Sequence, residues 1–281
     1  MTVALSPGRT RANFRLVGGA QPLILLPVFV KGDGPFQFIL DTGAGTTLLS
    51  SDLAEQLGVK VIGSKEGQSA GGRVSVLLAR VDSLAVGETR LDNLDVGIVD
   101  LQHIGKTVEA QIDGDLGYNF LKHFRLTIDY RRSEIRLDDP YRVEDFGKVA
   151  QTEMPIRMAS PAKPLILIDV YANGRGPFQF GLDTGTSTTA ITPELARELA
   201  VDGSAIGPVT TGAAHVEVKA GILKSFQVGG ARLDNLAVIV ANFFEMLSNA
   251  VDAKLDGIVG YNFLRNYKVM IDYPNQLLAL F

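Results

Sequence analysis

Residues 22 to 58, PLILLPVFVKGDGPFQFILDTGAGTTLLSSDLAEQLG, recur without a gap at 164 to 200 as PLILIDVYANGRGPFQFGLDTGTSTTAITPELARELA, with 20 of the 37 positions identical. The offset of 142 still holds where Leu91-Asp92-Asn93-Leu94 meets Leu233-Asp234-Asn235-Leu236. One extra residue then enters the second copy, and DGDLGYNFLKHFRLTIDY from Asp113 matches DGIVGYNFLRNYKVMIDY from Asp256. A repeat of about 125 residues is too long for a solenoid unit and the right size for a lobe. The chain is therefore expected to form an N-terminal lobe over residues 1–137 and a C-terminal lobe over residues 151–281. The polar, aperiodic segment 138–150 is expected to link them.

Within each copy most signals are those of strands. Phe36, Phe38 and Leu40 alternate with Gln37, Ile39 and Asp41, as Phe178, Phe180 and Leu182 do in the second copy. Asp41 and Asp183 thus end buried strands, each preceded by turn chemistry, GDGP or GRGP, that joins it to the PLIL strand as a hairpin. One short helix follows in each copy. Ser50 and Thr192 are placed to cap it, Pro193 suits a first helical position, Leu53/Leu57 and Leu195/Leu199 form its inner face, and Gly58 ends the first one. RVSVLLARVDSLAVG and HVEVKAGILKSFQVG alternate again after the small-residue stretches SAGG and TGAA, as hairpins with mobile tips would. Mainly β lobes follow from this pattern.

A carboxylate at the end of a buried strand is costly unless hydrogen bonds or a second group share its charge. If the two lobes pack about a pseudo-twofold axis, Asp41 and Asp183 converge, and two carboxylates a few ångströms apart cannot both ionise easily. They would share one proton. Thr42 and Thr184 offer hydroxyls that can reach across the interface. Gly43 and Gly185 permit the tight path that turns amide N–H groups toward the carboxylates. A single strand-ending Asp-Thr-Gly is an even choice between a turn and a site, and duplication in matching context favours the site.

With these residues in view, the chain resembles the pepsin/retropepsin-type aspartic peptidases, specifically the bacterial retropepsin-like group, as two fused copies. The resemblance rests on Asp41-Thr42-Gly43 and Asp183-Thr184-Gly185, on the apolar residues before each triplet, and on Leu116-Gly117 and Val259-Gly260 later. It implies an acid-protease fold: mainly β, two pseudo-twofold-related lobes, each with a DTG loop, a flap hairpin and a short helix. The late glycine motif is expected to thread under each aspartate loop and buttress it. The final strand, reached through the YPNQ turn, is expected to join a sheet beneath the two aspartates.

Three departures carry expectations of their own. Asp115 stands where the late motif takes an apolar residue and where the second copy has Ile258, so the first buttress is expected to be less regular. Ala44 follows the first triplet, whereas Thr186 follows the second and could bond the outer oxygen of Asp183, making the pair asymmetric. Neither flap carries the aromatic residue that many pepsins close over substrate. The resemblance thus implies an endopeptidase with Asp41 and Asp183 as catalytic groups, supported by Thr42, Gly43, Thr184, Gly185 and Thr186. The alternative is an inactive peptide-binding or regulatory protein on the same fold. Intact aspartates in both copies weigh against it.

Other classes find little support. Lys and Arg total 27 against 31 Asp and Glu, a formal charge of −4 without like-charge blocks, so nucleic acid is not an expected partner. With no cysteine there is no thiol chemistry, and His103, His123 and His215 lack metal-ligand spacing, so neither a metal nor another cofactor is expected. The Gly-Tyr-Asn-Phe-Leu segments read as core and turn. The longest apolar run, Leu23 to Val30, contains Pro27 and is too short to span a bilayer. No export signal opens the sequence, which implies a cytoplasmic protein if the chain is complete and a periplasmic or secreted one if a leader was removed. The expected partner is a peptide or protein, bound by a monomer whose two lobes complete one site.

Overall fold

A computed structural model describes residues 10–69, 72–141, 149–160, 164–211 and 214–281. It is mainly β and built from three sheets. In the first half, eight strands run in the order Arg15–Val17, Leu23–Val30, Asp33–Leu40, Gly114–Leu116, Leu48–Ser50, Thr89–Val99, Gly72–Val86 and Val61–Ser69. A further pairing of Leu23–Val30 with Gly72–Val86 curls this sheet toward closure. The second half repeats the order with Arg157–Met158, Ile166–Ala172, Arg175–Leu182, Gly257–Val259, Ala190–Ile191, Ala231–Ala241, Ala214–Val228 and Ser204–Thr211, and repeats the closing pair.

The local signals act where the sequence places them. The Ser50 hydroxyl accepts the Leu53 amide at 3.1 Å and starts the helix Ser51–Gln56, while Thr192 accepts the Leu195 amide at 3.0 Å ahead of Pro193–Glu198. Gly58 follows the first helix at φ +58°. The hairpin turns lie slightly ahead of GDGP and GRGP. They centre on Lys31-Gly32 and Asn173-Gly174, all four residues at positive φ, so Asp33-Gly34-Pro35 already belongs to the aspartate strand. Left-handed values at both central residues suit the twist of a two-residue hairpin, which is why the turn settles there. Each half also has two helices beyond the one expected: Gln102–Val108 and Tyr118–Leu121, then Phe244–Val251 and Tyr261–Leu264. The flap-type hairpins form from Val61–Ser69 with Gly72–Val86 and from Ser204–Thr211 with Ala214–Val228. Their expected mobile tips fall on residues 70–71 and 212–213, outside the described residues, as do residues 142–148 of the expected linker. Asp138, at the linker's expected start, ends the strand Glu134–Asp138.

The halves are joined by a six-stranded antiparallel sheet, ordered Thr10–Asn13, Glu134–Asp138, Arg125–Asp129, Lys268–Asp272, Leu277–Leu280 and Thr152–Pro155. Its central register pairs Thr127 with Met270, equivalent residues of the two copies, so the pseudo-twofold axis passes between them. Arg125 pairs with Asp272 through a 2.8 Å ion pair, and the symmetry-related Lys268 lies 3.8 Å from Asp129. As expected, the C-terminal residues Leu277–Leu280 fold back on Lys268–Asp272, with Leu278, Ala279 and Leu280 fully buried. One apolar cluster runs through both halves and includes Phe38, Phe120, Leu126, Phe180, Phe263 and Val269. Shared burial on this scale makes the lobes one packed body. Among the described residues no helix is long and apolar enough to cross a membrane.

Candidate active site

The two strands Asp33–Leu40 and Arg175–Leu182 deliver Asp41 and Asp183 to the interface between the lobes. Each aspartate is anchored by its amide, Asp41 N–H to the Leu116 carbonyl at 3.2 Å and Asp183 N–H to the Val259 carbonyl at 3.1 Å. The late strands thus hold both aspartates in equivalent positions. Beyond each late strand, the Tyr118 amide donates to the Ala44 carbonyl and the Tyr261 amide to the Thr186 carbonyl, both at 2.8 Å. A Cβ on Gly117 would sit 2.8 Å from the Ala44 oxygen, and one on Gly260 would sit 2.6 Å from the Thr186 oxygen. Only glycine passes so close beneath the loops.

Asn119 and Asn262 complete the buttress. The Asn119 side chain accepts the Thr47 amide and donates to the Asp95 carbonyl, each at 2.7 Å; Asn262 does the same with Thr189, at 2.8 Å, and Ala237, at 2.7 Å. Phe120, Leu121, Phe263 and Leu264 are buried, so Gly-Tyr-Asn-Phe-Leu has the core-and-turn role read from its composition. The first buttress is as regular as the second, contrary to the expectation drawn from Asp115. In both copies the late strand keeps the same register, Leu40 beside Leu116 and Leu182 beside Val259. Strand pairing is carried by the backbone, so a carboxyl at Asp115, within hydrogen-bonding reach of Asp41, leaves it unchanged.

Thr42 and Thr184 lock the halves together. Thr42 N–H donates to Thr184 Oγ1 at 3.1 Å and Thr184 N–H to Thr42 Oγ1 at 3.0 Å. Each hydroxyl donates onward to the other half, Thr184 to the Leu40 carbonyl at 2.7 Å and Thr42 to the Leu182 carbonyl at 3.3 Å. Both threonines are buried, at 0% and 1% exposure, so no water competes for these four bonds. The glycines are equally specific. A Cβ on Gly43 would lie 2.7 Å from the carboxyl carbon of Asp183, and one on Gly185 would lie 2.7 Å from that of Asp41. Each carboxyl therefore rests on the opposite lobe's glycine.

The immediate hydrogen bonds of the two carboxyls differ. Asp41 Oδ1 accepts the Gly43 amide at 2.7 Å and the Ala44 amide at 3.0 Å. Asp183 Oδ1 accepts the Gly185 amide at 2.7 Å, while its Oδ2 accepts the Thr186 hydroxyl at 2.8 Å, the asymmetry expected from the sequence. Asp41 is held well above the usual carboxylate range, first by burial, then by the charges of Asp183 and Asp115, and by a hydrogen bond with Asp183. Two carboxyls so close together resist ionising at the same time.

Two neighbours were not assigned to the site from sequence. Asp115 is 9% exposed, within hydrogen-bonding reach of Asp41, and pushed up to about 8, mainly by burial and then by Asp183. Its replacement of an apolar residue in one copy was the visible signal. Tyr273, buried in edge-on contact with Tyr118, feels the charge of both Asp41 and Asp183. No local pattern marked it, since Tyr130 is its equivalent in the first copy. His103 and His123 are half-buried, and the side chain of His215 lies outside the described residues.

A family model described as aspartyl protease matches the chain twice, at residues 26–120 and 168–263. Each match contains one aspartate, its Thr-Gly pair and the late glycine segment, and together they cover more than half of the chain. A comparison with curated proteins finds no match.

Proposed function

The chain belongs to the aspartyl protease family, and we propose that it is an aspartic endopeptidase that hydrolyses peptide bonds with water activated between Asp41 and Asp183. The reading rests chiefly on the reciprocal threonine lock, which supports two carboxyls brought face to face across the lobes. An extended peptide lies between the lobes, its backbone hydrogen-bonded by one or both flap hairpins.

Asp183 works as the ionised base, its outer oxygen Oδ2 accepting the Thr186 hydroxyl where the first copy has Ala44 and no hydroxyl to offer Asp41. Asp41 holds the proton. Water attacks the scissile carbonyl carbon while Asp183 takes a proton from it and Asp41 gives its own to the carbonyl oxygen. Asp183 then passes its proton to the departing nitrogen, and Asp41 recovers one from the diol as the carbon–nitrogen bond breaks. Thr42, Gly43, Thr184 and Gly185 hold the geometry that this exchange needs. The catalytic unit is a single chain, because both aspartates and both threonines come from one polypeptide.

Digestion of a peptide library by the wild type and by Asp183→Asn in parallel tests the proposal. Cleavage by the wild type alone is the expected result. A folded wild type that cuts nothing over a broad pH range would instead favour the peptide-binding reading.

A further inference from the structure

Asp115 breaks the twofold symmetry of an otherwise matched site. It lies on the late strand Gly114–Leu116, beside Ile39 on one side and Leu48 on the other, and its equivalent in the second half is Ile258. Ile258 packs in an apolar cluster with Leu165, Leu167 and Phe243, where a methyl-bearing side chain belongs. The surroundings of Asp115 are similarly apolar, with Leu25, Ile39 and Leu48 clustered on that side of the first lobe. A carboxyl there is costly unless it does something an isoleucine cannot. Its Oδ1 is buried and has no hydrogen-bond partner, while the carboxyl lies within reach of Asp41.

We propose that Asp115 is a positioning residue: a third carboxyl, present in one lobe alone, that keeps the proton of the pair on Asp41 and so carries activity to higher pH than the pair alone would. The inference rests on the peptidase reading. Three carboxyls in one partly buried site cannot all ionise, so protons are retained there as pH rises. Asp115 releases its proton at about 8. Its charge then acts on Asp41, together with that of Asp183, and holds the proton on the group that must donate to the scissile carbonyl. Among the described residues, Asp41 and Asp183 are the ionisable groups that act on Asp115. The flanking strands present Ile39 and Leu48 to it, neither titratable, and Tyr273 answers to Asp41, Asp183 and Tyr118 instead. The second half, with Ile258, offers Asp183 no such neighbour. This difference adds to Thr186 in setting acid and base apart.

The test uses Asp115→Asn, which removes the charge at constant size, and Asp115→Ile, which installs the residue of the second copy. The pH profile of kcat/KM is measured for both beside the wild type. Relative to the wild type, both variants are expected to lose about tenfold more activity on the alkaline side, where Asp41 loses its proton sooner, than on the acidic side. A merely structural role would lower activity at every pH and leave the shape of the profile unchanged. Carboxyl-carbon NMR titration of the same proteins reads the Asp41 midpoint without any substrate, and a lower midpoint is expected in both variants. That readout separates the two ideas: a wild type that cleaves nothing overturns the peptidase reading, whereas unmoved Asp41 midpoints in both variants overturn the role of Asp115.

Discussion

Thr184→Val keeps the shape of the side chain and removes its hydroxyl, so its effect isolates the lock between the lobes. Two bonds disappear, the one to the Leu40 carbonyl at 2.7 Å and the one from the Thr42 amide at 3.1 Å. Each is worth about 1 kcal/mol net, and the buried Thr42 amide left without a partner adds a desolvation penalty of about 1–2 kcal/mol. The total cost is about 3–4 kcal/mol. At about 2.1 cal/mol/K per residue, 281 residues give an unfolding entropy of about 0.6 kcal/mol/K. The expected fall in Tm is therefore about 5–7 °C, read by calorimetry. Activity should drop further than stability, because the same bonds hold Asp41 and Asp183 at their working separation. Adding Thr42→Val should cost less than its separate effect, since one bond of each substitution joins the same two residues. A Thr184→Val protein with unchanged Tm and full activity would refute the lock.

Gly43→Ala places a methyl 2.7 Å from the Asp183 carboxyl carbon, so it should abolish peptide cleavage in a protein that still folds, and full activity in that variant would show the carboxyls are not packed on the opposing glycines. Deleting Leu278 to Phe281 removes most of a buried strand of the joining sheet, and it should lower both Tm and activity although no site residue is lost; unchanged thermal stability would contradict it. Asp115 binds its proton more tightly in the folded state than at its ordinary 3.8, so folding stability should decline as pH rises from there to about 8. Asp115→Asn should escape this decline, gaining on the wild type across that window in urea unfolding series, and parallel curves would argue that Asp115 is not buried in the native protein.

The duplication made most of this site legible in the sequence. A strand-ending Asp41 means little alone, but its recurrence as Asp183 in the same context forces the pair to share an environment. The helix caps Ser50 and Thr192 were readable because capping depends on residues three apart. The hairpin turns were misplaced by one or two residues because the Gly-Pro pairs outweighed Lys31-Gly32 and Asn173-Gly174 as turn signals, whereas twist decides which pair turns. The extra helices went unread for a related reason: Gln102–Val108 follows Leu101, which supplies no side-chain cap, and Phe244–Val251 likewise starts without one. The edge strands Thr10–Asn13 and Thr152–Pro155 are short, and their partners, Glu134–Asp138 and Leu277–Leu280, lie more than a hundred residues away in sequence. No local pattern encodes such a pairing. Asp115 was visible as an oddity, but what it faces is set by the packing of both lobes.

The most direct test of one catalytic pair per chain is calorimetric titration with a peptide bearing a secondary alcohol in place of the scissile carbonyl, which mimics the diol between the aspartates. The titration is run at chain concentrations where light scattering shows monomers. One peptide should bind per chain, and Asp41→Asn and Asp183→Asn should each weaken binding severely. Half a peptide per chain, or binding that appears only as chains associate, or affinity untouched by both substitutions, would contradict a site completed by the two lobes of a single polypeptide.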